Sequence, residues 1–542
     1  NRACLYLQLQ RVDEAEQLLK EAIPHIALTR RNYSVLADQT LKEIQAWREN
    51  APSSHYQRDW RWIGRLRGAI AYNAFWWLAH AGPFSWDEKQ EWQSLMMQPA
   101  DEAMQKQLET IISQSRQREL TEAIIEKREP QLWYPAIPIE EVRSRIACLH
   151  QLDADIQRSE PNEIIRDLYH GKIEEEMCFL HLIEAAHTQD RERFWKMNQE
   201  LHPAPTLEEM QYALSRVKRL ASQGLQHEQS KEAAEQVISH LRTQLHLSFD
   251  PQGYETFQDE LSSLAPSSGQ PRRSISARVA QRFFEAVLRE GGCEGWRVIL
   301  EATTSGARIE AASHLFILPD RQLTLDECKV LLEHEVLSHI ADSVAGERSP
   351  LGLLAVGTRN YLPILEGLAL YHEMQAAKAS AKAFDDSRIW LGALSTGLAA
   401  GVCTPAQSFI TLYTFLKAFL ILFRLLRRPD EDHEAVQRNA HSLAQTLCLR
   451  TFRGVPDLEK PGVCYSKDAS YLRGMLLIQH EAARDETMLE RLSIGRTALE
   501  YLPALERLGI KPALQPLRKL AKDADLDAYI LSFETENQDR QQ

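Results

Sequence analysis

Apolar residues recur at three- and four-residue spacing along most of this chain, a period that an α-helix satisfies and a β-strand does not. Between residues 165 and 180, for example, Ile165, Tyr169, Ile173, Met177 and Leu180 form one helical stripe. Glycine and proline, the two residues that interrupt helices, number only 23 each in 542 residues. The chain is therefore expected to be mainly helical. Short strands are expected only at Trp296–Glu301, Arg308–Glu310 and His314–Leu318, set apart by turn residues such as Thr304-Ser305-Gly306. A small sheet inside a helical protein is an α+β pattern.

Composition narrows the functional classes. Hydrophobic residues make up 44% and charged residues 26%, which suits a globular protein rather than a disordered chain or a membrane bundle. A formal net charge of −13 argues against a broad surface for nucleic acid or acidic membrane, although a local basic pocket is compatible with it. Cys4, Cys148, Cys178, Cys293, Cys328, Cys403, Cys448 and Cys464 are scattered without a C-x-x-C pair, as expected of reduced thiols in a cytoplasmic protein. The most apolar stretch, Phe409 to Phe423, carries Lys417 and is followed by Arg424, Arg427 and Arg428. It falls short of the roughly 20 residues that span a bilayer, so it reads as a buried core helix and no membrane partner is expected. The chain opens at Asn1, as a fragment or processed chain would.

The length suggests several domains. Eight of the eleven tryptophans (Trp47, Trp60, Trp62, Trp76, Trp77, Trp86, Trp92 and Trp133) lie in the first 133 residues, either packing a helical core or offering anchors to a protein partner. The opening Leu5-Tyr6-Leu7-Gln8-Leu9 and Asp13 to Leu19 resemble half of one tetratricopeptide unit, with no second copy at a period of about 34 residues. Pro135 to Pro138 marks a boundary, and Ser262 to Ser274 is the most loop-like interior segment. The expected division is a tryptophan-rich helical accessory region over 1–135, a helical region over 136–235 and a third domain over 236–542 that carries the motifs below.

Thr324-Leu325-Asp326-Glu327 has the form of a capping box and predicts a helix start. That helix runs through His334-Glu335-Val336-Leu337-Ser338-His339. Two imidazoles flanking a carboxylate on one helix suit zinc with a general base, normally in H-E-x-x-H spacing. Residues four apart diverge by about 40° around an α-helix, but residues five apart diverge by about 140°. A π-type turn, bonded i to i+5, would bring His334 and His339 nearly above one another, so a local widening between Glu335 and His339 is predicted. A second helix is predicted to begin near Pro363 and carries Glu366-Gly367. A carboxylate from a following helix is a usual third zinc ligand, and Gly367 is expected to let the two helices approach closely.

Taken in order, His334-Glu335-Val336-x-x-His339, Gly357-Thr358-x-x-Tyr361-x-x-x-x-Glu366-Gly367-Leu368-Ala369, Arg450-x-Phe452-Arg453-Gly454 and Tyr465-Ser466-Lys467-Asp468-Ala469-Ser470-Tyr471-Leu472-Arg473-Gly474 resemble the family named for its QEGLA motif. That family includes the microtubule-associated tyrosine carboxypeptidases, and the likeness extends over roughly residues 160 to 530. It implies a zincin-like domain with an HExxxH active-site helix, zinc ligands at His334, His339 and Glu366, and a catalytic glutamate at Glu335. Leu365 stands where the family usually has Gln, and the loop Ala341 to Leu353 carries Ala345-Gly346 and Ser349-Pro350 in place of the family's common pairs. These departures leave the ligands intact but bear on substrate choice, so tubulin is not carried over to this chain.

The expected activity is that of a zinc peptidase, a carboxypeptidase acting on a protein or peptide C-terminus. Tyr471, Tyr361 and His314 are candidates to stabilise the oxyanion. The strand beginning at His314 is expected to be the edge along which a peptide backbone lies. Arg453, Lys467 and Arg473 are candidates for the terminal carboxylate, the arginines equally able to pair with structural carboxylates. His433 and His441 are expected to be solvated. Glu373, seven residues after Glu366 on one helix face, is a candidate partner for a ligating histidine or a surface charge. The alternatives are a zinc endopeptidase, cleavage at a conjugated protein C-terminus, and a non-catalytic zinc-stapled scaffold that recruits a partner through its N-terminal region.

Overall fold

A computed structural model describes residues 58–70, 102–132, 139–250, 273–293, 295–301, 306–311, 314–379, 387–485, 487–512 and 525–539. The expected α+β, mainly helical architecture is what these residues form. In the helix Glu163–Thr188, Ile165, Tyr169, Ile173 and Leu180 are buried along the predicted stripe, and Asn162 caps its start by accepting from the Ile165 N–H. Of the clustered tryptophans, Trp60 and Trp62 fall within the described residues. The tetratricopeptide-like opening, the Pro135 to Pro138 boundary and residues 262–272 of the loop-like segment lie outside them.

Among the described residues, five short strands make two small sheets. β1 (Ser274–Ile275) pairs antiparallel with β5 (Leu323–Thr324). β2 (Arg297–Glu301), β3 (Arg308–Glu310) and β4 (Leu315–Pro319) form a sheet in the order β2-β4-β3, with β4 parallel to β2 and antiparallel to β3. β4 is therefore central and buried along its whole length. The expectation of a peptide-binding edge at this strand is thereby corrected, because β2 and β3 already use both of its hydrogen-bonding sides. The pattern that misled is a continuous apolar run, which marks a strand covered on both faces.

Two hydrophobic cores organise the described residues. One joins helices from Trp62 to Ile510, including Leu168, Phe194, Leu368, Phe415 and Leu472. The other unites the sheets with the helix Ala277–Glu290 and the segment Leu325 to Val344. The helix Phe409–Arg427 is 19 residues long, so by length and composition it could cross a membrane. Here it lies in the larger core, with Phe409, Phe415 and Phe419 fully covered. Burial of each such ring stabilises the fold by about 2–3 kcal/mol.

The helix Trp60–Ala69 is tied into this core by polar contacts as well. Trp62 donates to Glu160 at 2.7 Å, and Arg65 pairs with Asp155 at 2.7 Å. Buried Asp59 accepts from the N–H groups of Gly352 and Leu353 at 2.7 and 2.9 Å and from the Tyr169 hydroxyl at 2.7 Å. It thus joins the helix Trp60–Ala69 to the start of the short helix Leu353–Val356. Burial pushes the Asp59 carboxyl from 3.8 up to about 6, against the opposing pull of its three donors. The native protein then holds this proton at pH values where the unfolded chain has lost it. Its contribution to stability is accordingly full below pH 3.8 and declines as the pH rises through about 6. Asp59→Ala, which strands three buried donors, should lower the unfolding free energy by about 2 kcal/mol at neutral pH. Asp59→Asn should flatten the stability profile over that pH range. Urea denaturation at a series of pH values measures both, and a slope unchanged by Asp59→Asn would refute the assignment.

Candidate metal centre

The capping box forms as the sequence predicts. The Thr324 hydroxyl accepts from the Glu327 N–H at 3.1 Å, and the Glu327 carboxylate accepts from the Thr324 N–H at 2.7 Å. One α-helical stretch later, Leu332–Ile340 is π-helix, and the α-form resumes over Ala341–Arg348. The predicted widening is present and includes both histidines. It places the His334 and His339 rings edge to face, with centroids 5.0 Å apart and planes at 74°.

Their partner comes from the helix Tyr361–Ala379, which packs against the π-helix. The connection turns at Gly357, whose φ of +114° is open to glycine but costly for other residues. Ligating atoms of His334, His339 and Glu366 lie within 4.8 Å of one another, and His339 Nε2 stands 3.7 Å from Glu366 Oε2. Atoms bonded to one tetrahedral zinc at about 2.0–2.1 Å are roughly 3.3 Å apart, so modest side-chain rotation would close this set around an ion. Two imidazoles and one carboxylate are also the donor chemistry zinc prefers when a position is left for substrate. The residues fit the metal.

The site lies where the two cores meet. The π-helix buries Leu332, Val336, Leu337 and Ile340 in the sheet-containing core, while the Glu366 helix buries Ile364, Leu368 and Leu370 in the helical one. Burial, with His334 and Arg496 nearby, holds the His339 imidazole well below its ordinary range, in the neutral form that ligates metal. Burial also raises the Glu366 carboxyl, opposed by His334, Lys467 and Arg450. Glu373 Oε2 stands 3.5 Å from His334 Nδ1. Glu373 is buried, which favours the histidine-partner reading over a surface charge.

Gly367 does allow a close crossing, but with a different helix from the one expected. A β-carbon there would overlap the backbone of Gly474 in the helix Ala469–Arg484, and Gly474 in turn lies against the Pro363 carbonyl. The crossing brings Tyr471 within electrostatic reach of Glu366. That carboxylate, followed by burial, pushes the Tyr471 phenol above its ordinary value, and Arg450 hydrogen-bonds it. Lys467, just before this helix, is lowered by burial although Glu366 and Asp468 favour its charge, and it lies near Arg453.

Three other sequence candidates have partners of their own. Arg473 places its guanidinium on Glu209 at 2.9 and 3.0 Å and on the carbonyls of Pro203 and Ala204 at 3.2 and 3.1 Å. It is a structural clamp, because each of its nitrogens already donates to a neighbour. His314 is buried, stacked on Trp296 at 5.2 Å and bonded to Glu347 at 2.8 Å. The Tyr361 ring lies 5.4 Å from the Lys172 ammonium and against Gly357. Outside the site, His441 is bonded to the Tyr413 hydroxyl at 2.6 Å instead of being simply solvated.

Sequence reasoning did not single out two cations beside the triad. Arg450 forks onto Asp468, with contacts of 2.7 Å from Nη2 and Nε, and steadies Tyr471. Its signal was its place at the head of the Arg-x-Phe-Arg-Gly block. Arg496 donates to the Ala355 carbonyl at 2.9 Å and to Ser343 Oγ at 3.4 Å, and no local pattern announces it. Compared with known proteins, the chain matches no protein-family profile, and no curated protein matches it.

Proposed function

We propose that this protein is a zinc-dependent peptidase, a carboxypeptidase that removes a residue from the C-terminus of a protein or peptide. The observation that carries this reading is the convergence of His334, His339 and Glu366 within 4.8 Å across two helices, with Glu335 on the same π turn. A zincin-like catalytic domain built on the HExxxH helix is part of the proposal, as is a cytoplasmic setting. The cysteines within the described residues are all free, and most are buried.

Zinc held by the three ligands would supply Lewis acidity, lowering the pKa of water and polarising a carbonyl. Glu335 then takes a proton on its carboxylate from the attacking water and returns it to the departing amine. The raised phenol of Tyr471 keeps its proton at neutral pH and can donate it as a hydrogen bond to the oxyanion. Lys467 offers a half-buried ammonium to a terminal carboxylate, with Arg453 close by. Arg450 orients Tyr471, and Glu373 orients His334.

The test is mass spectrometry of a peptide library, with free and amidated C-termini, after incubation with the zinc-loaded protein. Single C-terminal residues should be lost from free peptides and retained on amidated ones. Internal cuts would make the protein an endopeptidase, and no cleavage by the zinc-bound form would favour a scaffold. Lys467→Met should raise KM for free C-termini by about 10- to 100-fold, the value of one charge-assisted hydrogen bond, with a smaller change in kcat.

A further inference from the structure

An α-helix that widens into a π turn needs something to hold it there, since the form is rare compared with the α-form on either side. Ser338, fully buried, sits inside the turn between the two histidines. Its hydroxyl donates to the Glu333 carbonyl at 2.9 Å, five residues back. In a regular α-helix a serine hydroxyl bonds the carbonyl three or four residues back. The five-residue reach is that of the π-helical backbone itself. The same oxygen lies 3.1 Å from His372 Nδ1 on the Glu366 helix. A hydroxyl has one proton, and the Glu333 carbonyl can only accept it, so His372 must be the donor in the second bond. Ser338 therefore ties the π register to the helix that brings the third ligand.

We infer that Ser338 is a positioning residue that holds the π turn and so sets the spacing of His334 and His339 for metal. This rests on the zinc reading of the site. Without the bond to Glu333, the segment is free to recover α-helical winding, in which residues five apart point about 140° from one another. The pair would then no longer present two nitrogens to one ion.

The experiment compares wild type, Ser338→Ala and Ser338→Thr by zinc titration against a chromophoric chelator, and by visible absorption of the cobalt-loaded forms. Ser338→Ala should bind zinc about 10-fold more weakly, the lower end of what outer-shell partners contribute, and show altered cobalt bands. Ser338→Thr, which keeps the hydroxyl, should retain most of the affinity and the wild-type bands. If the hydroxyl merely stabilised the fold, Ser338→Ala would lower the melting temperature of the metal-free protein and leave zinc affinity and the cobalt bands unchanged, which would overturn the inference. Wild-type affinity and bands in Ser338→Ala would overturn the inference while leaving the zinc reading intact. A loss shared equally by Ser338→Thr would overturn it too, because packing and not the hydroxyl would then be responsible. Absence of zinc binding in the wild type would overturn both.

Discussion

Glu335→Gln should lower peptide cleavage by about 10²- to 10⁴-fold while zinc binding stays at the wild-type level. Gln matches Glu in size and fits the same half-buried position on the π turn, so packing around Val336 and Leu337 is preserved. What it lacks is the ability to accept a proton from water and release it to the leaving amine. Glu335 is not among the three converging side chains proposed as ligands, which is why metal content should not follow activity. His339→Ala, by contrast, removes a proposed ligand, and metal and activity should be lost together. Zinc stoichiometry by elemental analysis, alongside the peptide-library assay, separates the two cases. An active Glu335→Gln protein would remove Glu335 from the mechanism. A metal-free one would make it a ligand and reopen the scaffold reading, in which a fourth protein ligand is expected.

The parts of this site that were legible in the sequence are those with short-range rules. Thr324 and Glu327 satisfy each other across one turn, so their spacing alone foretells the helix start. The five-residue separation of His334 and His339 is informative because it conflicts with α-helical geometry, and a π turn removes the conflict. Long-range choices left weaker marks. Gly367 announces a close crossing, but nothing local specifies that the opposing backbone is Gly474 and not the histidine helix. Arg473 shares a motif block with Lys467, and only the fold reveals that Glu209, more than 260 residues earlier, neutralises it. His314 leads an apolar strand that reads equally well as edge or centre, and pairing on both sides of β4 decides the matter. The mainly helical class was readable throughout, because periodicity repeats in every helix and a few misjudged contacts do not erase it.

Gly474→Ala should destabilise the protein by about 3 kcal/mol or more and weaken zinc binding at the same time. Taken by itself, the substitution ought to help, since alanine in a helix interior is favoured over glycine by about 1 kcal/mol. The surroundings reverse the sign. A β-carbon at Gly474 would overlap the Pro363 carbonyl and press on the Gly367 backbone, and neither can turn aside as a flexible side chain would. Relief requires the helices Tyr361–Ala379 and Ala469–Arg484 to separate. Glu366 lies one residue before the crossing point and Tyr471 one turn before it, so separation carries the proposed metal ligand away from the candidate oxyanion donor. Stability and the site are thus coupled through one backbone contact. Gly306→Ala is the control, because that position has nothing within 4 Å of an added β-carbon. Urea denaturation and zinc titration of both variants test the coupling. If Gly474→Ala proves as stable as wild type, the crossing is looser than described and Tyr471 loses its claim to the site. If stability falls but zinc affinity holds, the two helices support the fold without setting the position of Glu366.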